Sequence, residues 1–77
     1  MKLLTCEDLE RIVKPMIEIS GEAKLSEITA KSYTVYKTCV KPTTMRKLMR
    51  ELSYKNEWDQ RETDYGKEII YFKENSL

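Results

Sequence analysis

The side chains with the most chemical potential in this sequence are cations. Between Lys37 and Lys55 stand Lys37, Lys41, Arg46, Lys47, Arg50 and Lys55 against Glu51 alone, a local excess of +5 in a chain whose total is +1. Cations at that density can neutralise phosphate, and arginine can also grip a pair of acceptors through two parallel N–H groups. From Asn56 to Glu68 the sign reverses: Glu57, Asp59, Glu62, Asp64 and Glu68 outnumber Arg61 and Lys67, giving −3. Covalent and acid–base chemistry is poorly provided. No histidine occurs, which removes the commonest general base and the commonest metal ligand. Cys6 and Cys39 lie far apart and have no second pair, so neither a zinc site nor a dense disulfide framework can be written. They read as reduced, partly buried thiols, with a Cys6–Cys39 bridge as the alternative in an oxidising compartment. Gly21 and Gly66 stand alone, whereas phosphate-cradling loops and dinucleotide fingerprints need clustered glycines. The expectation is a binding module with no cofactor, no metal and no catalytic residue, not an enzyme.

These cations need a frame. Seventy-seven residues make one domain, 1–77, with a thin core, because a chain of this size buries only about 60–65% of the surface its unfolded form exposes. With 40% hydrophobic and 35% charged residues, the composition is globular. No apolar run is long enough for a membrane span or a secretory signal, which predicts a soluble, cytoplasmic protein with no membrane partner.

Thr5 and Asp8 have the spacing of a capping box, and Leu9, Ile12, Val13, Met16 and Ile17 follow at helical steps. Pro15 inside that stripe predicts a kink or a restart, and Gly21 suits a left-handed cap. A second helix begins near Leu25 with Ser26 as its cap and runs to about Lys37, although Thr34 to Val40 is β-branched enough to form a strand instead. Pro42 suits the first position of a third helix, 42–53, with Met45, Leu48, Met49 and Leu52 on its apolar side. Trp58 to Phe72 predicts two strands around a turn at Thr63–Gly66, with Glu68–Phe72 the clearer strand. Trp58, Tyr65, Tyr71 and Phe72 are expected to cap the core more than to stack on bases, and Met45 and Met49 to fill it.

Three helices followed by a hairpin is the order of a winged helix-turn-helix domain. The stretch Val40-Lys41-Pro42-Thr43-Thr44-Met45-Arg46-Lys47-Leu48-Met49-Arg50-Glu51-Leu52 resembles the turn and recognition helix of the winged helix-turn-helix DNA-binding superfamily. Cys39 stands where that family usually has glycine, and Val35 where it has a small alanine. Either the turn is longer than the standard one or the likeness is accidental. The resemblance implies an α+β fold that places helix 42–53 in the major groove of double-stranded DNA, with the 57–73 hairpin as a wing. It assigns DNA contact to Lys41, Thr43, Thr44, Arg46, Lys47 and Arg50, with Arg61 and Lys67 reaching the backbone from the wing. One such helix reads few base pairs, so a homodimer is expected. The near-neutral total and the acidic hairpin point instead to a protein partner, with the chain an adaptor or a small inhibitor of another protein.

Overall fold

The computed structural model describes residues 3–38 and 40–73, with Asp64 described through its backbone alone. Helix α1 (Cys6–Ser20) is followed by strand β1 (Glu22–Lys24), helices α2 (Leu25–Tyr36) and α3 (Pro42–Asn56), strand β2 (Asp59–Thr63), a short 3-10 turn (Asp64–Gly66) and strand β3 (Glu68–Phe72). Among the described residues this is an α+β fold, with three helices and one antiparallel sheet in the order β1-β3-β2.

The capping box at the start of α1 is formed. The Thr5 hydroxyl accepts from the Asp8 backbone N–H at 3.1 Å, and the Thr5 N–H donates to the Asp8 carboxylate at 3.4 Å. Leu9, Ile12, Val13 and Ile17 are buried along one face. Pro15 is exposed and α1 runs through it without restarting. The hydrogen bond it removes falls on the solvent side, where water can serve the Arg11 carbonyl. Gly21 takes φ +84° and donates to the Ile17 carbonyl at 2.8 Å, and no atom would crowd a side chain there. The backbone angle alone asks for glycine.

Helix α2 runs to Tyr36, close to the expected end at about Lys37, so residues 34–36 are helical and the alternative strand there does not form. The sheet instead takes an unforeseen third strand, Glu22–Lys24, paired as Glu22↔Phe72, Ala23↔Tyr71 and Lys24↔Ile70. One expectation here needs correction. Ser26 does not cap α2. The helix begins one residue earlier, so Ser26 lies inside the first turn, and its N–H and hydroxyl donate to Glu68 of β3 at 3.1 and 2.8 Å. The acceptor that an N-cap side chain normally supplies comes here from the sheet.

Helix α2 ends on Lys37, left-handed at φ +55°, and five residues, 37–41, lead to Pro42 at the first position of α3. The connection is thus longer than a three- or four-residue turn. Its left-handed residue among those described is Lys37; Cys39 lies outside the described residues. Strands β2 and β3 pair from Asp59↔Phe72 to Thr63↔Glu68, and Gly66 takes φ +85° in the turn between them.

The core gathers Leu9, Val13 and Ile17 of α1, Ala23, Leu25, Ile28, Met45, Met49, Leu52, Trp58, Ile69 and Tyr71. Alternation on β3 sends Ile69 and Tyr71 to this core and turns Ile70 and Phe72 to the outer face of the sheet. Tyr65, expected with the other hairpin aromatics to cap the core, is instead fully exposed, because it sits at the tip of the hairpin in the 3-10 turn with a left-handed backbone (φ +55°), away from the sheet. No helix of the described residues is long and apolar enough to cross a membrane.

Candidate nucleic-acid interface

Helix α3 has three faces with different work. Met45, Met49, Leu52 and Ser53 are buried. On the flank toward α1, Asn56 donates its side-chain N–H to Glu10 at 2.8 Å and to the Leu52 carbonyl at 3.0 Å, and Lys55 pairs with Glu10 at 3.4 Å. On the same flank the Cys6 thiol donates to Glu51 at 3.1 Å. That bond, with burial and the repulsion of nearby carboxylates, holds the thiol above its ordinary pKa. The Asn56 bond, aided by Lys55, holds the Glu10 carboxyl below its own.

The third face looks outward. Thr43, Arg46, Lys47 and Arg50 are all exposed and follow the steps i, i+3, i+4 and i+7 that form one stripe. Tyr54, the next residue on that stripe, is 91% exposed. Thr44 belongs elsewhere: its spacing to Glu51 and Lys55 puts it on the flank toward α1. Lys41 is exposed at the N-cap of α3, at the head of the stripe.

Among the described residues no ion pair or hydrogen bond occupies Lys41, Arg46, Lys47 or Arg50. Glu51, the single acid in the basic segment, is turned to Cys6, so the stripe is more purely cationic than the sequence count. The helix dipole does not explain these cations. It rewards positive charge in the last turn, where only Lys55 stands, whereas Arg46 and Lys47 lie in the N-terminal half. The N-terminus of α3 has neither a side-chain cap nor an acidic residue in its first turn, while α1 has both. Open N–H groups and a positive dipole end there favour an anion.

The sheet borders the stripe on its other side. Arg50, Ser53 and Tyr54 of α3 line a shallow depression of about 450 Å³ with Glu57, Trp58 and Asp59, and the buried Ser53 hydroxyl beside it has no hydrogen-bond partner. The two wing candidates stand apart from the stripe. Arg61 pairs in register with Ile70, and its guanidinium lies 6.0 Å from the centre of the Phe72 ring. Both residues belong to the outer face of the sheet, opposite the core into which Tyr71 and α3 pack. Lys67 is exposed in the hairpin turn.

Of the eight residues proposed from sequence, the structure gathers Lys41, Thr43, Arg46, Lys47 and Arg50, and separates Thr44, Arg61 and Lys67 from them. It adds Tyr54, which was within reach of the same helical spacing. The other open tyrosines divide: Tyr33 is 58% exposed, and Tyr36 donates to the Asp8 carbonyl at 3.3 Å. No family model matches this chain, and no significant similarity to a curated protein or a solved structure was found.

Proposed function

We propose that the protein is a winged helix-turn-helix module that binds duplex DNA by setting the outward stripe of α3 in the major groove. The observation that carries this reading is the cationic stripe of Arg46, Lys47 and Arg50, unpaired among the described residues, on a helix whose opposite face is anchored in the core. Support comes from the order of three helices and a terminal hairpin joined by a third strand, and from the open N-terminus of α3. The arginines read guanine edges, while Lys41, Thr43 and Lys47 position the helix on phosphates. Thr44, on the flank toward α1, contributes less, and Arg61 and Lys67 meet the backbone only if the hairpin folds around the duplex. Two copies of the chain supply enough base pairs for specificity.

A second reading is favoured by the hairpin itself. Asp59 and Glu62 are exposed on β2, whose outer edge is unpaired among the described residues, and Tyr65 is fully exposed at the turn. That surface suits a basic protein partner and repels phosphate. Fluorescence anisotropy on a pool of short random duplexes separates the two. Replacing Arg46 and Arg50 together with alanine is expected to weaken binding by roughly 30- to 1000-fold, as loss of two good contacts implies. Unchanged affinity in that double variant removes α3 from the interface.

A further inference from the structure

Strand β2 lies at the margin of the sheet, and among the described residues no strand pairs with its outer edge. All five of its residues, Asp59–Thr63, pair with β3 in unbroken register, so no bulge twists the edge away, and no proline blunts it. Natural sheets usually protect such an edge with one of these devices or with charge. Charge is what β2 carries. Asp59, Arg61 and Glu62 are exposed, and among the described residues neither Asp59 nor Arg61 has an ion-pair partner. Their signs are mixed, however, and a mixed edge repels its own copy in some registers and attracts it in others.

Two copies of β2 that pair antiparallel are related by a two-fold axis perpendicular to the sheet, because opposed residues share a face. The axis then passes between one residue and its own copy. On Arg61 it sets arginine against arginine, on Asp59 or Glu62 it sets carboxylate against carboxylate, and on Thr63 it runs off the end of the strand. With the axis on Gln60 every like pair is removed: Asp59 faces Arg61 of the second copy, twice, and Gln60 faces Gln60. The backbone suits this register. The Gln60 N–H donates to the carboxylate of its own neighbour Asp59 at 2.8 Å, a side-chain substitute of the kind an edge amide takes when no strand lies beyond it. In the pairing about Gln60, the two Gln60 residues exchange N–H···O=C bonds, and each Asp59 is released to an arginine. Arg61 is held on the outer face of the sheet beside the Phe72 ring, apart from the α3 stripe.

We infer that the chain forms a two-fold dimer by antiparallel pairing of β2 with β2 of a second copy, the axis at Gln60 and an Asp59–Arg61 ion pair on either side of it. The sheet becomes six-stranded, in the order β1-β3-β2-β2-β3-β1, and both copies of α3 lie on the same side of it. The interface rests on β2 alone. Its use on DNA rests on the reading proposed above, to which it adds two-fold-related half-sites. It also closes the edge to the basic partner of the second reading.

Sedimentation equilibrium of the full chain at low salt, without DNA, tests the interface. A monomer–dimer equilibrium is expected, weakened at least about tenfold by Arg61→Asp and by Asp59→Arg, since each turns two attractive cross-strand pairs into two repulsive ones. Mixing the two variants is expected to restore association as a heterodimer, because every charge then meets its opposite. Lys24→Glu is expected to leave the dimer unchanged, which separates β2 from the other edge strand, β1, where Glu22 and Lys24 are also self-complementary about Ala23. A chain that stays monomeric up to about 1 mM, a dimer indifferent to Arg61→Asp, or one lost in Lys24→Glu overturns the inference. If a β2 variant fails to fold by circular dichroism, Gln60→Lys makes the same test by placing two like charges on the axis, with the same weakening expected. Dimerisation of a chain that does not bind duplexes leaves the interface standing and ends the DNA reading; duplex binding by a chain that stays monomeric does the reverse.

Discussion

The two polar flanks of α3 carry similar side chains and are put to opposite use. Toward α1, Glu51, Lys55 and Asn56 are engaged with Cys6 and Glu10. Outward, Arg46, Lys47 and Arg50 have no partner among the described residues, although Glu57, Asp59 and Glu62 belong to the segment that immediately follows. In a thin domain, polar groups that close a helix pair stabilise the fold, whereas uncompensated like charges on one stripe slightly oppose it. On the DNA reading proposed above, an external anion compensates them.

The largest effect on this contrast is expected from Arg46→Glu. Reversing one charge in the stripe should reduce affinity for duplex DNA by more than about 100-fold, with a melting temperature close to that of the parent, since exposed positions tolerate exchange within about 0.5 kcal/mol. Asn56→Ala on the other flank should do the opposite. It removes one hydrogen bond from α3 to Glu10 of α1 and one to the Leu52 carbonyl within α3, costing about 1 kcal/mol, which lowers the melting temperature by roughly 4–8 °C and leaves DNA affinity alone. If Asn56→Ala weakens DNA binding as much as it lowers stability, the flanks are not separable.

Acid sharpens the comparison. Glu68 is held below its ordinary value of 4.5 chiefly by its bonds to Ser26, and Glu10 by Asn56. A carboxyl depressed in the folded state contributes stability above its unfolded pKa and loses it as pH falls through the folded value. Stability measured by urea denaturation should therefore decline below about pH 4.5, and Glu68→Gln should flatten that decline. A Glu68→Gln variant as acid-sensitive as the parent would count against the sheet-supplied cap. The smallest effect concerns Cys6: because Glu51 raises its pKa, Glu51→Gln should speed alkylation by iodoacetamide at pH 8 by a few-fold, and an unchanged rate would mean the thiol–carboxylate bond is not maintained in solution.

Where local chemistry determines structure, the fold was legible in the sequence. The Thr5–Asp8 box, Pro42 and Gly66 punctuate the chain through their own hydrogen bonds and backbone angles, so α1, α3 and the hairpin could be read directly. Strand β1 could not: Glu22-Ala23-Lys24 is too short to show alternation and is a strand because β3 offers it an edge. Ser26 looked like a cap because its acceptor, Glu68, lies 42 residues away. The candidate site divides along the same line. Helical spacing alone groups Thr43 with Arg46, Lys47 and Arg50 and sets Thr44 aside, but only strand register shows that Arg61 shares a face with Phe72.

The measurement that tests the central claim most directly is the salt dependence of binding to short random duplexes, read by fluorescence anisotropy. If the four cations Lys41, Arg46, Lys47 and Arg50 each displace one condensed counterion, whether from a phosphate or from the groove, the logarithm of the affinity should fall against the logarithm of salt concentration with a slope of about −3 to −4 per protomer, near −0.9 per charge neutralised. Alanine at Lys47 should bring that slope closer to zero by about one, and alanine at Arg61 should leave it unchanged. No binding at low salt, or a slope that Arg61→Ala alters and Lys47→Ala does not, would contradict the assignment of the α3 stripe to DNA.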